Sequence, residues 1–259
     1  MDRLPIDLIQ YCIFDKLDFL TQIRFRQICK RLNRVEIHNM YYYVGHIYLT
    51  RLSNEILIKY PEVKYLNVYN NPNIININHM TNLQILNASW NSGLDDNGIK
   101  NLNLIELHTY NNPKVTNVNH MTNLQILDAS CPNCGIDDNG IKNLNLIKLY
   151  ASNNPKITNV NHMTNLQILD ASGYCSGIGD NGIRDLNLIE LYASGNPFIT
   201  NVNHMTNLEI LYASWNSGLD DNGIKDLNLI ELYAYDNSKI TNVSHMTNLI
   251  IYNNWSINL

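Results

Sequence analysis

The chain has 259 residues, of which 45% are hydrophobic and 16% are charged, a composition typical of a globular protein with a sizeable core. Its net charge of -5 argues against the dense basic surface that nucleic-acid binding requires. The sequence lacks a signal-like apolar stretch and any apolar run long enough to cross a membrane, and its 5 cysteines are too few for a disulfide scaffold. We therefore expect an intracellular protein, cytoplasmic or nuclear, with no nucleic-acid or membrane partner.

The first 45 residues predict a small all-α unit. Apolar residues recur at helical spacing from Leu8 to Leu32. Residues 1–45 carry seven Lys/Arg against five Asp/Glu, whereas residues 46–259 carry eleven against eighteen, so charge also divides the chain into two modules. Residues 46–62 predict a connecting helix or cap that carries the chain onto a first strand at Val63.

The N-terminal segment contains the pairs Leu4-Pro5 and Leu8-Ile9, followed later by Cys29-Lys30-Arg31. In this pattern it resembles an F-box, although Leu32 replaces the usual tryptophan. The resemblance implies binding to the Skp-type adaptor of a cullin-RING ubiquitin ligase. The contact residues that it implies are Leu4, Pro5, Leu8, Ile9, Ile13 and Leu17. The alternative is a helical cap that only shields the first coil of the following repeat.

The rest of the chain is an internal repeat. The string HMTNLQIL, or a close variant, begins at His79, His120, His162, His204 and His245. Within each unit the pattern LxxLx[small]xxNxx[LIV] occurs twice, which gives a period of 20 to 22 residues and about ten coils over residues 63–259. This pattern resembles the leucine-rich repeat. The resemblance implies an α/β solenoid, curved, with a parallel β-sheet on its concave face.

Each position of the repeat has a predicted role. The opening leucine (offset 0), offset +3, the small residue at +5 and the apolar residue at +11 should point inward. The asparagine at +8 should be buried and bond backbone groups of adjacent coils. These predicted ladder residues are Asn71, Asn91, Asn112, Asn154, Asn196, Asn216 and Asn237.

Two kinds of coil alternate on the predicted convex side. Aspartate coils read GLDDNGIKNL or a variant, and an aspartate there should cap a short helical turn. Histidine coils read KVTNVNHMTNL or a variant, which is typical of 3₁₀ turns. The repeated histidines should stand about 10 Å apart, too far to share one metal ion. We predict no metal, no cofactor and no catalytic site, since no nucleotide-binding or hydrolase motif occurs.

Side chains at +2, +4 and +6 should face the concave side and bind a target protein, because aromatic side chains dominate binding hot spots. Tyrosines at +4 of three consecutive strands are the best candidates for recognition. The predicted target-binding residues are Tyr150, Tyr192, Tyr212, Tyr233, Tyr110, Tyr235, Trp90, Trp215, Glu190 and Glu231.

Cys131 and Cys134 are spaced as in zinc and redox sites. Two further zinc ligands are missing nearby, and the pair is not repeated in the related coil that contains Cys175. We interpret the pair as a one-residue bulge after a strand, in which Asn133 and Cys175 are the displaced ladder residues; a disulfide between Cys131 and Cys134 stays open.

Together these features predict a non-enzymatic substrate receptor of an SCF-type ubiquitin ligase. It would hold the Skp-type adaptor with its F-box and an unknown target protein with the concave repeat face. The alternative is an interaction scaffold whose N-terminal helices only cap the solenoid. An enzyme with Cys131 or Cys134 as nucleophile is a third hypothesis, which a thiol-reactivity assay would test.

Overall fold

The structure of the chain, a computed structural model, describes residues 39–40 and 52–253, with the backbone alone for residues 39–40 and 251–253. It is a solenoid whose coils each contribute one short strand to an 11-stranded parallel sheet, in which the strands follow their order in the chain. The strands are β1 (Asn39–Met40), β2 (Tyr65–Asn67), β3 (Ile85–Asn87), β4 (Glu106–His108), β5 (Ile126–Asp128), β6 (Lys148–Tyr150), β7 (Ile168–Asp170), β8 (Glu190–Tyr192), β9 (Ile210–Tyr212), β10 (Glu231–Tyr233) and β11 (Ile251–Asn253). The helices are α1 (Asn54–Leu57), α2 (Asp96–Ile99), α3 (Asp138–Ile141), α4 (Asp180–Ile183) and a 3₁₀ helix at Asn222–Ile224.

The strands β2 to β10 have three residues each, with a buried leucine between two half-exposed residues. This alternation follows from the period of two in a strand, which sends neighbouring side chains to opposite faces. Every strand pairs in the same register with the next, so that Glu190 lies opposite Ile210 and Ile210 lies opposite Glu231. The exposed residues therefore form columns across the sheet, and both the predicted fold class and the predicted strand register are confirmed.

The core is one continuous cluster that runs along the solenoid. The opening leucines from Leu83 to Leu229 and the +3 leucines from Leu66 to Leu232 are buried, as are the alanines at +5 from Ala88 to Ala234. The methionines of the HMTN strings, such as Met121, are also buried. The small residue at +5 thus leaves room for larger neighbours, as predicted.

The asparagine ladder is confirmed in the histidine coils only. Asn154 is fully buried, and its Nδ2 donates to the carbonyl oxygens of Ala129 at 2.8 Å and Ile136 at 3.1 Å in the preceding coil. Its Oδ1 accepts from the backbone N–H of Lys156 at 2.9 Å. The buried asparagines of this ladder are Asn71, Asn112, Asn154, Asn196 and Asn237.

In the aspartate coils the predicted ladder residues were wrong. Asn91 and Asn216 are exposed, and so are Asn133 and Cys175. In these coils the buried place lies one residue later than the predicted offset of +8. In the two longer coils, which contain Cys134 and Ser176, it lies two residues later. A smaller side chain followed by glycine therefore takes the buried place. The residues that occupy it are Ser92, Cys134, Ser176 and Ser217.

Paired aspartates tie the convex side together. Asp95 Oδ1 accepts from the N–H of Gly98 at 2.9 Å and caps α2, as predicted. Its neighbour Asp96 reaches the next coil, where Thr116 donates through its backbone N–H at 2.7 Å and its hydroxyl at 2.6 Å. The same arrangement recurs around Asp137 and Asp138. The pair therefore combines helix capping with a bond between coils.

The histidine coils form separate turns. In one of them Met121 N–H donates to Val118 O and Leu124 N–H to Met121 O, both at 3.0 Å, so the predicted short i to i+3 turns are present without joining into a helix. His120 Nε2 lies 3.3 Å from the carbonyl oxygen of Ile99 in the preceding coil. The repeated histidines were predicted as convex-side polar residues, and four of them also link neighbouring coils, namely His120, His162, His204 and His245.

The sheet begins before Val63, since β1 pairs with β2. Within the predicted connecting segment, residues 46–62, the helix α1 places Leu57 fully in the core. The predicted adaptor-binding residues, from Leu4 to Leu17, lie outside the described residues, and so does most of the predicted 1–45 unit. The helices that the structure describes have only three or four residues each, and a membrane span is found among none of them.

Cys131, Cys134 and Cys175 are free thiols, so no disulfide joins the first two. Cys131 has a positive φ of 93°, and the corresponding Gly173 has a φ of 95°. These angles belong to the predicted bulge, which the two longer coils share. Burial raises the pKa of the Cys134 thiol, which suits a structural cysteine better than a nucleophile.

Candidate partner-binding site

Three tyrosine rings stack on the concave face. Tyr192 and Tyr212 have ring centroids 4.3 Å apart at an angle of 6°, and Tyr212 and Tyr233 have centroids 4.5 Å apart at 4°. The rings stack because they occupy the same position on the consecutive strands β8, β9 and β10, whose spacing is close to that of stacked rings. The three residues predicted as a recognition patch therefore form one continuous aromatic surface.

A carboxylate stands at each end of this stack. The Tyr233 hydroxyl donates to Glu231 Oε2 at 2.9 Å, and this hydrogen bond, with some burial, raises the pKa of Tyr233 to about 12. Burial and a hydrogen bond to Glu190 raise the pKa of Tyr192 well above its ordinary value. Both phenols are therefore protonated at neutral pH, and the Tyr233 hydroxyl holds the Glu231 carboxylate in place.

Ile210 lies between the two glutamates. The six residues of β8 to β10 that face the concave side form two rows of three, which we call the tyrosine patch. Its members are Glu190, Ile210, Glu231, Tyr192, Tyr212 and Tyr233. No lysine or arginine of the part of the chain that the structure describes forms an ion pair with Glu190 or Glu231.

Tyr150 lies on β6 and is separated from the tyrosine patch by β7, whose Asp170 occupies the same column. Burial raises the pKa of Tyr150, and the charges of Glu190, Asp128 and Asp170 add to the shift. Burial likewise raises the pKa of the Asp170 carboxyl, although Ser172 donates a backbone hydrogen bond to it at 2.9 Å. The middle of the concave face is thus predominantly acidic, with Lys148 as a basic residue beside Tyr150.

A second polar cluster occupies β4 and β5. His108 Nε2 lies 2.6 Å from Glu106 Oε1, and its Nδ1 lies 3.8 Å from Asp128 Oδ2. Burial lowers the pKa of His108, but the hydrogen bonds and charges of Asp128 and Glu106 outweigh burial and raise it above its ordinary value of 6.5. Among the residues that the structure describes, no group of three or more His, Cys, Asp or Glu could hold a metal ion.

The loop after each strand from β2 to β10 contains one residue with a positive φ, always at offset +7, and we call this set the left-handed column. Asparagine, aspartate or glycine occupies it in six coils, which suits that backbone. The other three coils carry Trp90, Cys131 and Trp215, with φ of 60°, 93° and 58°. The full column is Asn70, Trp90, Asn111, Cys131, Asn153, Gly173, Gly195, Trp215 and Asp236.

The predicted aromatic residues outside the strands lie in two places. Trp90 contacts Tyr69 and Tyr110, with ring centroids 6.2 Å and 6.1 Å away. Trp215 lies at the other end, where its backbone N–H donates to the carbonyl oxygen of Tyr235 at 2.6 Å. Trp90, Tyr110, Trp215 and Tyr235 are all exposed. The structure thus divides the predicted target-binding residues among the tyrosine patch, Tyr150 on β6 and two aromatic groups in the loops.

The sequence prediction missed one apolar groove. Phe198, Tyr174, Pro155 and Pro132 line it together, and the first two are 55% and 59% exposed. A signal was present, because the position of Phe198 holds lysine in three other histidine coils. Lys156 there donates to the carbonyl oxygen of Cys134 at 2.8 Å, whereas Phe198 supplies an apolar ring.

Comparison with known proteins bears on the N-terminal segment and on the solenoid separately. The F-box domain model matches residues 1–39. A search of the curated proteins gave no match to this sequence.

Among solved structures, the chain resembles an internalin (inlF) from Listeria monocytogenes str. 4b F2365, with a TM-score of 0.51 and 16% identity over 89% of this chain and 83% of that one. The functional domain of InlJ from Listeria monocytogenes matches with a TM-score of 0.47 and 18% identity, over 86% and 55% of the two chains. A chain of the yeast Rad7 and Elc1 complex matches with a TM-score of 0.38 and 14% identity, over 95% and 92%. At these identities, only the first likeness supports a conclusion, and that conclusion concerns the fold alone.

Proposed function

We propose that this protein, which joins an F-box domain to a leucine-rich-repeat solenoid, is the substrate receptor of a cullin-RING ubiquitin ligase of the SCF type. The F-box would bind a Skp-type adaptor through Leu4, Pro5, Leu8, Ile9, Ile13 and Leu17. The concave face of the solenoid would hold the target protein, with the tyrosine patch on β8 to β10 as its principal contact.

The observation that carries this proposal is the direct join between the two parts. The F-box match ends at residue 39, and the first strand of the sheet begins at Asn39. A target on the solenoid would therefore sit on the same molecule as the ligase adaptor, without a long linker between them.

The proposed role requires proximity rather than catalysis. A receptor raises the effective concentration of its target near the ubiquitin-loaded enzyme of the ligase. Both parts of the chain are of kinds that typically serve as interaction modules. The role would be carried out in the cytoplasm or the nucleus, where ubiquitin ligases of this type act.

Binding of the full chain to a purified Skp-type adaptor tests the proposal. The combined substitutions Leu4→Ala, Pro5→Ala and Leu8→Ala should abolish adaptor binding, because they remove apolar contacts that the F-box supplies. Tyr212→Ala is the matched control on the concave face and should leave adaptor binding unchanged.

Circular dichroism of the triple variant separates the two functions considered. A receptor loses the adaptor and keeps the spectrum and melting behaviour of its solenoid. If the wild-type chain binds no adaptor, and the triple substitution only loosens the fold, the N-terminal segment is a cap and the protein is an interaction scaffold.

A further inference from the structure

The tyrosine patch offers a ligand acceptors and negative charge at its two ends. Tyr233 donates a hydrogen bond to Glu231 Oε2 at 2.9 Å, and Glu190 stands on the same strand as Tyr192 at the other end. The rings of Tyr192 and Tyr233 stack on the two sides of Tyr212. An ionised carboxylate accepts hydrogen bonds and has no proton to donate. The patch therefore presents two negative charges that no lysine or arginine of the described residues neutralises through an ion pair.

A ligand for such a surface must supply donors and positive charge. Arginine and lysine side chains are donors without an acceptor, and hydrogen bonds to ionised groups are the stronger ones. Ile210, half-exposed between the glutamates, offers an apolar floor for the methylene stems of such side chains. The rest of the repeat region adds to the negative electrostatic potential around the patch, since residues 46–259 carry eighteen acidic against eleven basic residues.

The spacing of the carboxylates restricts the ligand further. Glu190 and Glu231 lie two strands apart, which corresponds to roughly 10 Å. An extended polyproline II chain places residues i and i+3 on the same side at roughly 9 Å. Two basic side chains at this separation match the backbone spacing of the two glutamates.

We propose that the tyrosine patch binds an extended segment of the target protein that carries two basic side chains three residues apart, one for each carboxylate. This inference rests on the proposed function in one respect, namely that the concave face is the target-binding face.

Selection of random peptides on the immobilised full chain tests the inference. We expect the selected peptides to be enriched in pairs of arginine or lysine three positions apart. The strongest selected peptide is then synthesised with a fluorescent label and titrated with the chain. Glu190→Gln and Glu231→Gln should each weaken binding about tenfold, because each removes a charge-assisted contact. Raising the salt concentration should weaken binding to the wild-type chain and affect the double variant less.

Glu209→Gln is the matched control, since Glu209 is an exposed carboxylate one residue before β9 and should leave binding unchanged. Moving the two basic residues next to each other in the same peptide should cost about tenfold, the loss of one contact. Selection without basic enrichment, equal binding by wild type and double variant, or equal binding by the two peptide spacings would overturn the inference. Adaptor binding measured on the same preparation distinguishes failure of this inference from failure of the proposed function. A chain that selects basic peptides but binds no adaptor contradicts only the proposed function.

Discussion

Replacing Asn154 by alanine should destabilise the solenoid strongly. The Asn154 side chain is fully buried and makes three hydrogen bonds, two as donor to carbonyl oxygens of the preceding coil and one as acceptor from Lys156 N–H. Asn154→Ala leaves these three groups without that partner, and each buried polar group left unpaired costs about 1–3 kcal/mol. Allowing for partial relaxation, we expect the free energy of unfolding to fall by about 3–5 kcal/mol.

Denaturant unfolding of the purified chain, followed by circular dichroism, measures this loss. Asn91→Ala is the matched control, because Asn91 is exposed and its loss should change stability by no more than about 0.5 kcal/mol. Asn154→Ser should fall between them, since serine occupies the corresponding place in three aspartate coils. A smaller slope of the unfolding free energy against denaturant concentration would indicate that the solenoid now unfolds in two parts at the altered coil. Equal stability of Asn154→Ala and Asn91→Ala would refute the reasoning, because the ladder would then contribute nothing.

Three further changes test other features of the structure. Trp215→Asn should raise stability by about 1 kcal/mol, because Trp215 has a φ of 58° and asparagine suits that backbone, as at Asn153; a lower melting temperature would show that packing of the indole outweighs the strain. Gly140→Ala should cost about 2 kcal/mol or more, since the added Cβ would lie 2.1 Å from Thr116 O, and chemical denaturation against the exposed Lys142→Ala control checks this. His108 has a raised pKa in the folded state, so its charged form stabilises the fold below pH 6.5 and that stabilisation is lost as the pH rises through the raised pKa. The stability difference between wild type and His108→Gln should therefore be larger at about pH 5.5 than at about pH 8, and a difference that does not vary with pH would contradict this sign.

The sequence was sufficient for the strand register because each leucine occupies a fixed place in a coil of nearly constant length. The same counting failed for the ladder in the aspartate coils, where the extra residues in the turn moved the buried place from Asn91 to Ser92. Burial of an amide or a hydroxyl depends on backbone contacts between coils, which a single motif does not contain. The composition of the tyrosine patch was likewise predictable, since Tyr192, Tyr212 and Tyr233 share one offset.

The arrangement of the site was not predictable from the sequence. Stacking of the rings and the hydrogen bond from Tyr233 to Glu231 depend on side-chain torsions that the pattern leaves open. The left-handed backbone at Trp90 and Trp215 was equally unpredictable, because tryptophan is an unusual residue for that conformation. Phe198 is the exception, since its departure from the lysine of sister coils was visible in the sequence.

The bonds between coils also determine how this protein could change in length. Asp96 of an aspartate coil bonds to Thr116 of the following histidine coil, and His120 of that coil lies against the carbonyl oxygen of Ile99 in the coil before it. The aspartate coil thus supplies the carboxylate, and the histidine coil supplies the threonine and the histidine. Two neighbouring coils of one kind would therefore not form these bonds. The smallest unit that can be added or removed is therefore the pair of coils, about forty residues. A longer or shorter relative built in this way would keep the same contacts between coils. Only the number of side chains on its sheet would differ.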